Sequence, residues 1–446
     1  MPDGPIGKVP AHWQIKRLRF VTRGIEQGWS PQCDNEPAEP GQWGVMKVGC
    51  VNSHRFDANE NKALPPELEP LPEYELHPGD VLVSRANTRE LVGSAAVVPA
   101  RVRSKLLLCD KLFRIRPEPE LDPEFLTYFL RTPAARFQYE RDATGASGSM
   151  QNIGQDTIKD LPVPIPSLRE QVAIASLLSW KTAQVDALIC KKRELAQRLL
   201  EERNSLITLA VSGGYGKGAG TRKPGELLVE SAPRGWTSRR LRYLTKTVTS
   251  GPRGWAQYFA DEGSLFLRIT NLHRDNIVIS STDLQRVDPP EGAEGERTQT
   301  CAGDLLISIT ADLGSVGVVP QGMELAYVSQ HLALVRVEEA VIDPRWAAYT
   351  VLSELGKHQL RIAAYGGTKV QLSLGDIKDI TISLPPQRHM QTVILAQLES
   401  QLEKVEAMLA AASNAVRKLQ EYRTALITAA VTGQIDVREV AVPVPA

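Results

Sequence analysis

The chain holds few cysteines and no pair of them. Cys33, Cys50, Cys109, Cys190 and Cys301 stand far apart, with no C-x-x-C spacing. That excludes a zinc ribbon and a disulfide framework, and it suits a reducing compartment. Net charge is also missing, with 52 Lys+Arg against 52 Asp+Glu. No uninterrupted apolar run nears the ~18 residues of a membrane span. The opening MPDGPIGKVPAHW has no basic stretch followed by an apolar one, so it does not read as a signal peptide. A cytoplasmic protein without a membrane partner is the expectation. Catalytic signatures are absent as well. There is no G-x-x-x-x-G-K-[ST], no H-E-x-x-H, no His pair at metal-ligand spacing and no G-x-S-x-G. GGYGKGAG (213–220) follows no strand and reads as a flexible linker. Asp288-Pro289-Pro290-Glu291 lacks the aromatic that stacks on a flipped base, and reads as a turn. Together these absences argue against an enzyme and against a metal or cofactor bound by this chain.

What is present is a long repeat. LITLAVSG (206–213) returns as LITAAVTG (426–433), changed only at Leu209/Ala429 and Ser212/Thr432. WQIKRLRF (13–20) is answered by WTSRRLRY (236–243), HPGDVLVSRANT (77–88) by CAGDLLISITAD (301–312), and DPEFLTYFL (122–130) by DPRWAAYTV (343–351). The order is kept at a nearly constant offset, so half the chain is duplicated; a solenoid has far shorter units. With 446 residues, two or more domains are expected. Short runs such as GDVLVS and GDLLISI between Gly/Pro/Asn/Asp turns, alternating with short helical stretches, predict one α+β domain over 1–165 and another over 224–383.

The remainder of each half reads as a long helix, at 166–213 and 384–433. A Gly-rich linker at 214–223 leads from the first helix into the second domain, and a tail at 434–446 follows the second helix. From Gln171 to Val211 there is neither Pro nor Gly. Apolar residues recur at Ile174, Leu178, Val185, Leu188, Leu195, Leu199 and Leu206, and again at Ile394, Leu398, Val405, Met408, Leu419 and Leu426. This predicts a coiled-coil-like stripe. Ser167 and Glu170 form a capping box, which the second copy replaces with Pro385-Pro386. Gly213 and Gly433 stand where a C′ glycine ends a helix. The expected architecture is two similar α+β domains separated by two long antiparallel helices, related by a pseudo-two-fold axis.

This plan, with PSLREQ (166–171), the shared helix end L-I-T-x-A-V-[ST]-G, the tail GQIDVRE (433–439), TSGPRGW (249–255) and the G-D-[VL]-L-[VI]-S strands, resembles the DNA specificity subunit of type I restriction–modification systems. The resemblance covers nearly the whole chain. It implies that each α+β domain is a target-recognition domain reading one half of a split site in double-stranded DNA. It implies that the helices set the spacing and hold two methyltransferase subunits, which a restriction motor-nuclease subunit joins. It also implies that S-adenosylmethionine belongs to the methyltransferase and ATP with magnesium to the restriction subunit, while this chain does no chemistry.

Phosphate contacts by Lys and Arg dominate DNA affinity, yet residues 1–165 hold 20 Lys+Arg against 22 Asp+Glu, and 223–383 hold 17 against 19. Segregated charge and help from partner subunits are both expected. Candidate DNA contacts lie in loops after strands. Arg85, Asn87, Thr88 and Arg89 follow GDVLVS, and the second copy has Thr310 and Asp312 there instead. Ser147, Ser149 and Gln151 correspond to Thr368, Lys369 and Gln371; Gln27, Trp29 and Ser30 correspond to Ser250, Arg253 and Trp255. Arg with Asn or Gln carries most major-groove readout. For Trp29 and Trp255, core packing is the competing reading. Lys191-Lys192-Arg193 reads as a solvated helix face. Two other classes stay open at this point: a cryptic methyltransferase or nuclease, which methyl-donor binding would reveal, and a coiled-coil scaffold, which DNA pull-down would separate.

Overall fold

A computed structural model describes residues 6–53, 55–145, 150–213, 234–290, 292–364 and 371–437. The linker at 214–223 and the tail beyond Val437 lie outside the described residues. The chain forms two compact units. One joins Met1–Lys192 to Ala415–Ala446, and the other is Arg193–Asn414.

Each unit is built on a four-stranded antiparallel sheet. In the first the order is Thr22–Gln27, Leu112–Pro117, Val81–Ser84, Ala95–Val97; in the second it is Thr245–Ser250, Leu332–Val337, Leu305–Ser308, Val316–Val318. The registers agree: Val81 faces Ile115 and Leu305 faces Val335. Both edge strands break register near their start, between Thr22 and Gly24 and between Thr245 and Thr247. The repeat therefore extends to an irregularity of the backbone.

The GDVLVS and GDLLISI strands are apolar on both faces because both faces are covered. Val81 and Val83 enter one core with Phe113, Phe125 and Phe129, while Leu82 enters another with Val45, Leu106 and Leu112. In the second unit Leu305 and Ile307 point into the core around Trp346, and Leu306 into the one around Leu267 and Val328. A second sheet of shorter strands covers the far face. Gly44–Met46 lies between antiparallel Asn61–Ala63 and parallel Leu106–Leu107; Ser264–Leu267 lies between antiparallel Gln285–Val287 and parallel Ala326–Val328. The expected α+β class holds.

The repeated motifs acquire structural roles. Gly79 and Gly303 both take φ 87°, a conformation that glycine adopts without strain. The next residue, Asp80 or Asp304, accepts the backbone N–H of His77 (2.9 Å) or Cys301 (2.7 Å). Each carboxylate also pairs with an arginine of the central strand, Arg116 at 3.6 Å and Arg336 at 2.7 Å. Gln171 and Gln391 are buried at the starts of the long helices. Each side-chain oxygen accepts the N–H of an N-cap aspartate, Asp122 or Asp343, at 2.8 Å. These aspartates in turn cap the Pro123–Leu130 and Pro344–Leu352 helices.

The long helices run Leu168–Ser212 and Arg388–Val431, 45 and 44 residues, each roughly 65 Å at ~1.5 Å per residue. The capping box forms: Ser167 N–H donates to Glu170 Oε2 (3.1 Å), and Glu170 N–H to Ser167 Oγ (3.3 Å). Gly213 and Gly433 end the helices at φ 83° and 74°. One window of the first helix is apolar enough to span a membrane by composition, but Ile174, Leu177 and Leu178 are buried in protein core.

Each unit uses one end of both helices. In the first, Ile174 and Leu178 share a core with Ile427, Ala430 and Val431; in the second, Ile207, Ala210 and Val211 share one with Ile394 and Leu398. The helix segments within a unit run antiparallel, and each unit has a cross-helix ion pair: Asp186–Arg423 at 3.0 Å and Arg203–Glu406 at 3.4 Å. These are the same pair written twice, at an offset of 220.

The stripe needs correction. Leu188, Leu195 and Met408 are 49 %, 42 % and 47 % exposed. Leu206, Leu419 and Leu426 are half-buried. The covered line of the first helix is Leu178, Thr182, Val185, Ile189, Lys192, Ala196, Leu199 and Arg203. Its counterpart is Leu398, Leu402, Val405, Leu409, Ala412, Val416, Leu419 and Arg423. That is a regular alternation of four and three residues. Thr, Lys, Ala and Arg occupy parts of it, so leucines one position away fit a purely hydrophobic pattern better.

Candidate nucleic-acid interface

In each unit several chain segments meet at one place, and glycine makes the first approach possible. A Cβ on Gly28 would stand 2.0 Å from the Leu108 carbonyl oxygen, and one on Gly251 2.0 Å from that of Val328. No side chain fits there. The loop after the first sheet strand thus crosses the turn before the central strand. Trp29 N–H donates to Leu108 O (3.0 Å), and Ser30 Oγ donates to Asp110 Oδ1.

The same turn holds the segment after GDVLVS. Arg85 N–H donates to Lys111 O (2.8 Å), and its guanidinium reaches Asp110 O (3.4 Å). Residues 86–87 then pair with 151–152, Asn87 facing Gln151. In the second unit Ile309 N–H donates to His331 O (3.0 Å), and Thr310 bridges to Gln371. Asp110-Lys111 and Gln330-His331 are equivalents at an offset of 220. The segments singled out from sequence on either side of each domain are therefore brought together by backbone pairing.

The side chains on this shared frame differ. In the first unit Thr88 and Arg89 are exposed and Arg85 half-buried. Arg89 lies 3.8 Å from Glu140, a separation at which a surface pair contributes little. Gln27 lines a groove with Glu26, Tyr74 and Arg116. Gln151 Oε1 is buried and makes no hydrogen bond. In the second unit Thr310 Oγ1 bonds His331 Nδ1 (2.9 Å). Asp312 accepts from Arg274 Nε (2.8 Å) and Ser315 Oγ (2.9 Å). Arg253 and Gln371 are exposed and Ser250 half-buried.

Two candidates change meaning. Trp255 is buried, stacked on Phe266 at 6.2 Å between Tyr258 and Tyr327. It is core because Phe266, Val287 and Tyr327 pack around it; the second unit's short-stranded sheet also has an extra strand, Phe259–Ala260. Trp29 stays half-buried. Asn87 is also buried: its Nδ2 donates to Asn52 Oδ1 (2.9 Å) and its Oδ1 accepts Thr88 N–H (2.9 Å). With both ends of the amide engaged, it shapes the loop. Ser147, Ser149, Thr368 and Lys369 lie outside the described residues. Sequence reasoning missed Asn52, Lys111, Arg274 and His331. The repeat carried a signal for them in NSHR (52–55) against NLHR (271–274) and CDKL (109–112) against SQHL (329–332).

The two units thus define a class of protein: one scaffold present twice, presenting different side chains from equivalent loops. Comparison with known proteins shows what this chain is similar to. Residues 25–195 match the type I restriction modification DNA specificity domain, and the chain resembles the specificity subunits of such systems. The EcoEI specificity subunit of Escherichia coli is 29 % identical over 208 residues, which cover 46 % of this chain and about a third (35 %) of that subunit. The StySPI specificity subunit of Salmonella potsdam is 22 % identical, over 96 % of this chain and 90 % of its own. The fold is shared with a chain from a structure described as that of complex assembly and conformational transition of the type I R-M system. That match has TM-score 0.66 and 20 % identity, covering 96 % of this chain and 100 % of the other.

Proposed function

We propose that this chain is the sequence-specific DNA-recognition subunit of a type I restriction–modification complex. It reads a bipartite, asymmetric site in double-stranded DNA and assembles two methyltransferase subunits and a motor-nuclease. The single observation that carries the reading is the meeting of equivalent loops on one repeated frame, with different residues on them. Arg85, Thr88 and Arg89 stand in the first unit where the second has Ile309, Asp312 and Leu313. Different side chains on these loops, on a frame kept down to its bulges, are what two readers of different sequences require. On this reading the methyl donor and ATP with magnesium belong to the partner subunits, and the chain alone performs no chemistry.

The test is capture of random duplex DNA by the purified chain, with and without a type I methyltransferase subunit. Sequence enrichment that appears or sharpens with the methyltransferase supports the reading. Stable protein assembly with no DNA retained would make the chain a scaffold.

A further inference from the structure

A cavity of about 310 Å³ lies within the first unit, between the Pro123–Leu130 helix, the segment around Arg55 and the two long helices. Arg55, Arg131 and Arg423 line it, opposed by Glu124 and Asp186. The equivalent place in the second unit shows what such a site needs. There Arg345 Nη1 donates to both carboxylate oxygens of Glu399 (3.1 and 3.0 Å), and Arg203 reaches both Asp275 (3.3 Å) and Glu406 (3.4 Å). Glu399 corresponds to Ser179 at the offset of 220 that relates the long helices. Asp275 corresponds to Phe56, through NSHRF (52–56) against NLHRD (271–275). Ser179 and Phe56 both line the cavity. Arg423, the counterpart of Arg203, thus keeps the pair with Asp186 and lacks the second carboxylate that Asp275 brings to Arg203, while Ser179 is uncharged where Glu399 is charged. Arg131 also stands in the place of Leu352, and Glu124 in that of Arg345. Three guanidinium groups face two carboxylates.

We propose that this cavity binds a phosphate-class oxyanion, held by Arg55, Arg131 and Arg423 with the hydroxyls of Ser179 and Thr182. The anion supplies the negative charge that Asp275 brings to Arg203 in the second unit. Guanidinium groups suit it because they present several N–H donors to one set of oxygens. Arg131 is held in place, since its Nε and Nη2 both donate to Ala95 O (3.2 and 2.8 Å). Burial, outweighing its neighbours, lowers its pKa to about 10, and an added anion would reverse that shift. The site is distinct from the loop face formed by Arg85, Asp110 and Gln151.

Calorimetric titration of the full chain with inorganic phosphate, at constant ionic strength against chloride, tests this. Saturable one-site binding is expected. Ser179→Glu adds a carboxylate to the cavity lining at an exposed helix position, beside Arg131 and Arg423; phosphate affinity should fall at least about tenfold, and the phosphate-free Tm should rise. Arg55→Gln, at an exposed residue, should weaken binding about three- to tenfold without lowering Tm. Addition of duplex DNA tells the sources apart: displacement of phosphate assigns the site to a backbone phosphate, and retention assigns it to a free anion. No saturable binding by the unaltered chain, or unchanged affinity in Ser179→Glu, overturns the proposal.

Discussion

Truncation after residue 216 removes the second half of the repeat, and the structure shows what the first half then lacks. The core of the first unit contains Ile427, Ala430, Val431 and Val437, all deleted. Burial of one Ile or Val contributes about 1.5–3 kcal/mol, so loss of Ile427 and Val431 alone costs roughly 3–6 kcal/mol. The truncated chain carries a replacement. Ile207, Ala210 and Val211 are the equivalents of Ile427, Ala430 and Val431 at an offset of 220, and they have lost their partners Ile394 and Leu398. Two copies can fill each other's slots, with Arg203 and Asp186 available to remake a cross-helix pair. Two slots return roughly 6–12 kcal/mol gross, which brackets the ~8 kcal/mol of a micromolar Kd; association entropy opposes it and the rest of the helix seam adds to it. The expected product is a two-fold dimer. Light scattering after size exclusion at micromolar concentration reads the mass, and the methyltransferase-loaded dimer should modify an interrupted palindrome. A well-folded monomer at that concentration, or an asymmetric motif, would refute the interchange of the two helix ends.

Other outcomes follow from single sites. Alanine at Arg85 or Arg89 should cost ~1–3 kcal/mol and relax preference in one half-site only, read by binding to a randomised duplex library. Asn87→Ala should instead lower stability, by about 1 kcal/mol for the lost hydrogen bond to Asn52, read by urea unfolding. Gly28→Ala places a Cβ 2.0 Å from Leu108 O, so it should displace the loop and weaken that same half-site; unchanged DNA preference would dismiss the crossing as irrelevant. At Glu170, burial raises the pKa, but hydrogen bonds from His12 and Ser167 outweigh it and bring the value down to about 2. A depressed carboxylate pKa stabilises the fold above the ordinary value near 4.5 and loses that contribution as pH falls toward the folded value. His12→Ala should therefore lower stability above pH 4.5 and flatten its fall below that pH, as followed by urea unfolding with circular dichroism.

Much of this architecture was legible because duplication supplied a second reading of every element. The domain pairs, the capping box at Ser167 and Glu170, and the stops at Gly213 and Gly433 all follow from local chemistry that needs no tertiary context. The helix seam was legible only in part. Lys192, Ala196 and Arg203 lie on it, and their cover comes from tertiary packing, which a hydrophobic pattern does not contain. At the loop face, the segments singled out from sequence meet in the fold, while Asn87 turns inward and Trp255 takes the core reading that sequence had left open. Asn87 looked like a base reader because its partner Asn52 is 35 residues away. Trp255 was open to both readings because Phe266 and Tyr327, which bury it, arrive from other strands.

Two different loop faces on one repeated frame should read two different half-sites. Single-molecule sequencing of DNA methylated by the full chain together with a type I methyltransferase subunit tests this most directly. The expected result is one motif of two dissimilar short sequences separated by an unread gap, with Arg85→Ala relaxing one of them and leaving the other intact. A continuous motif, or relaxation of both parts by that one substitution, would contradict it.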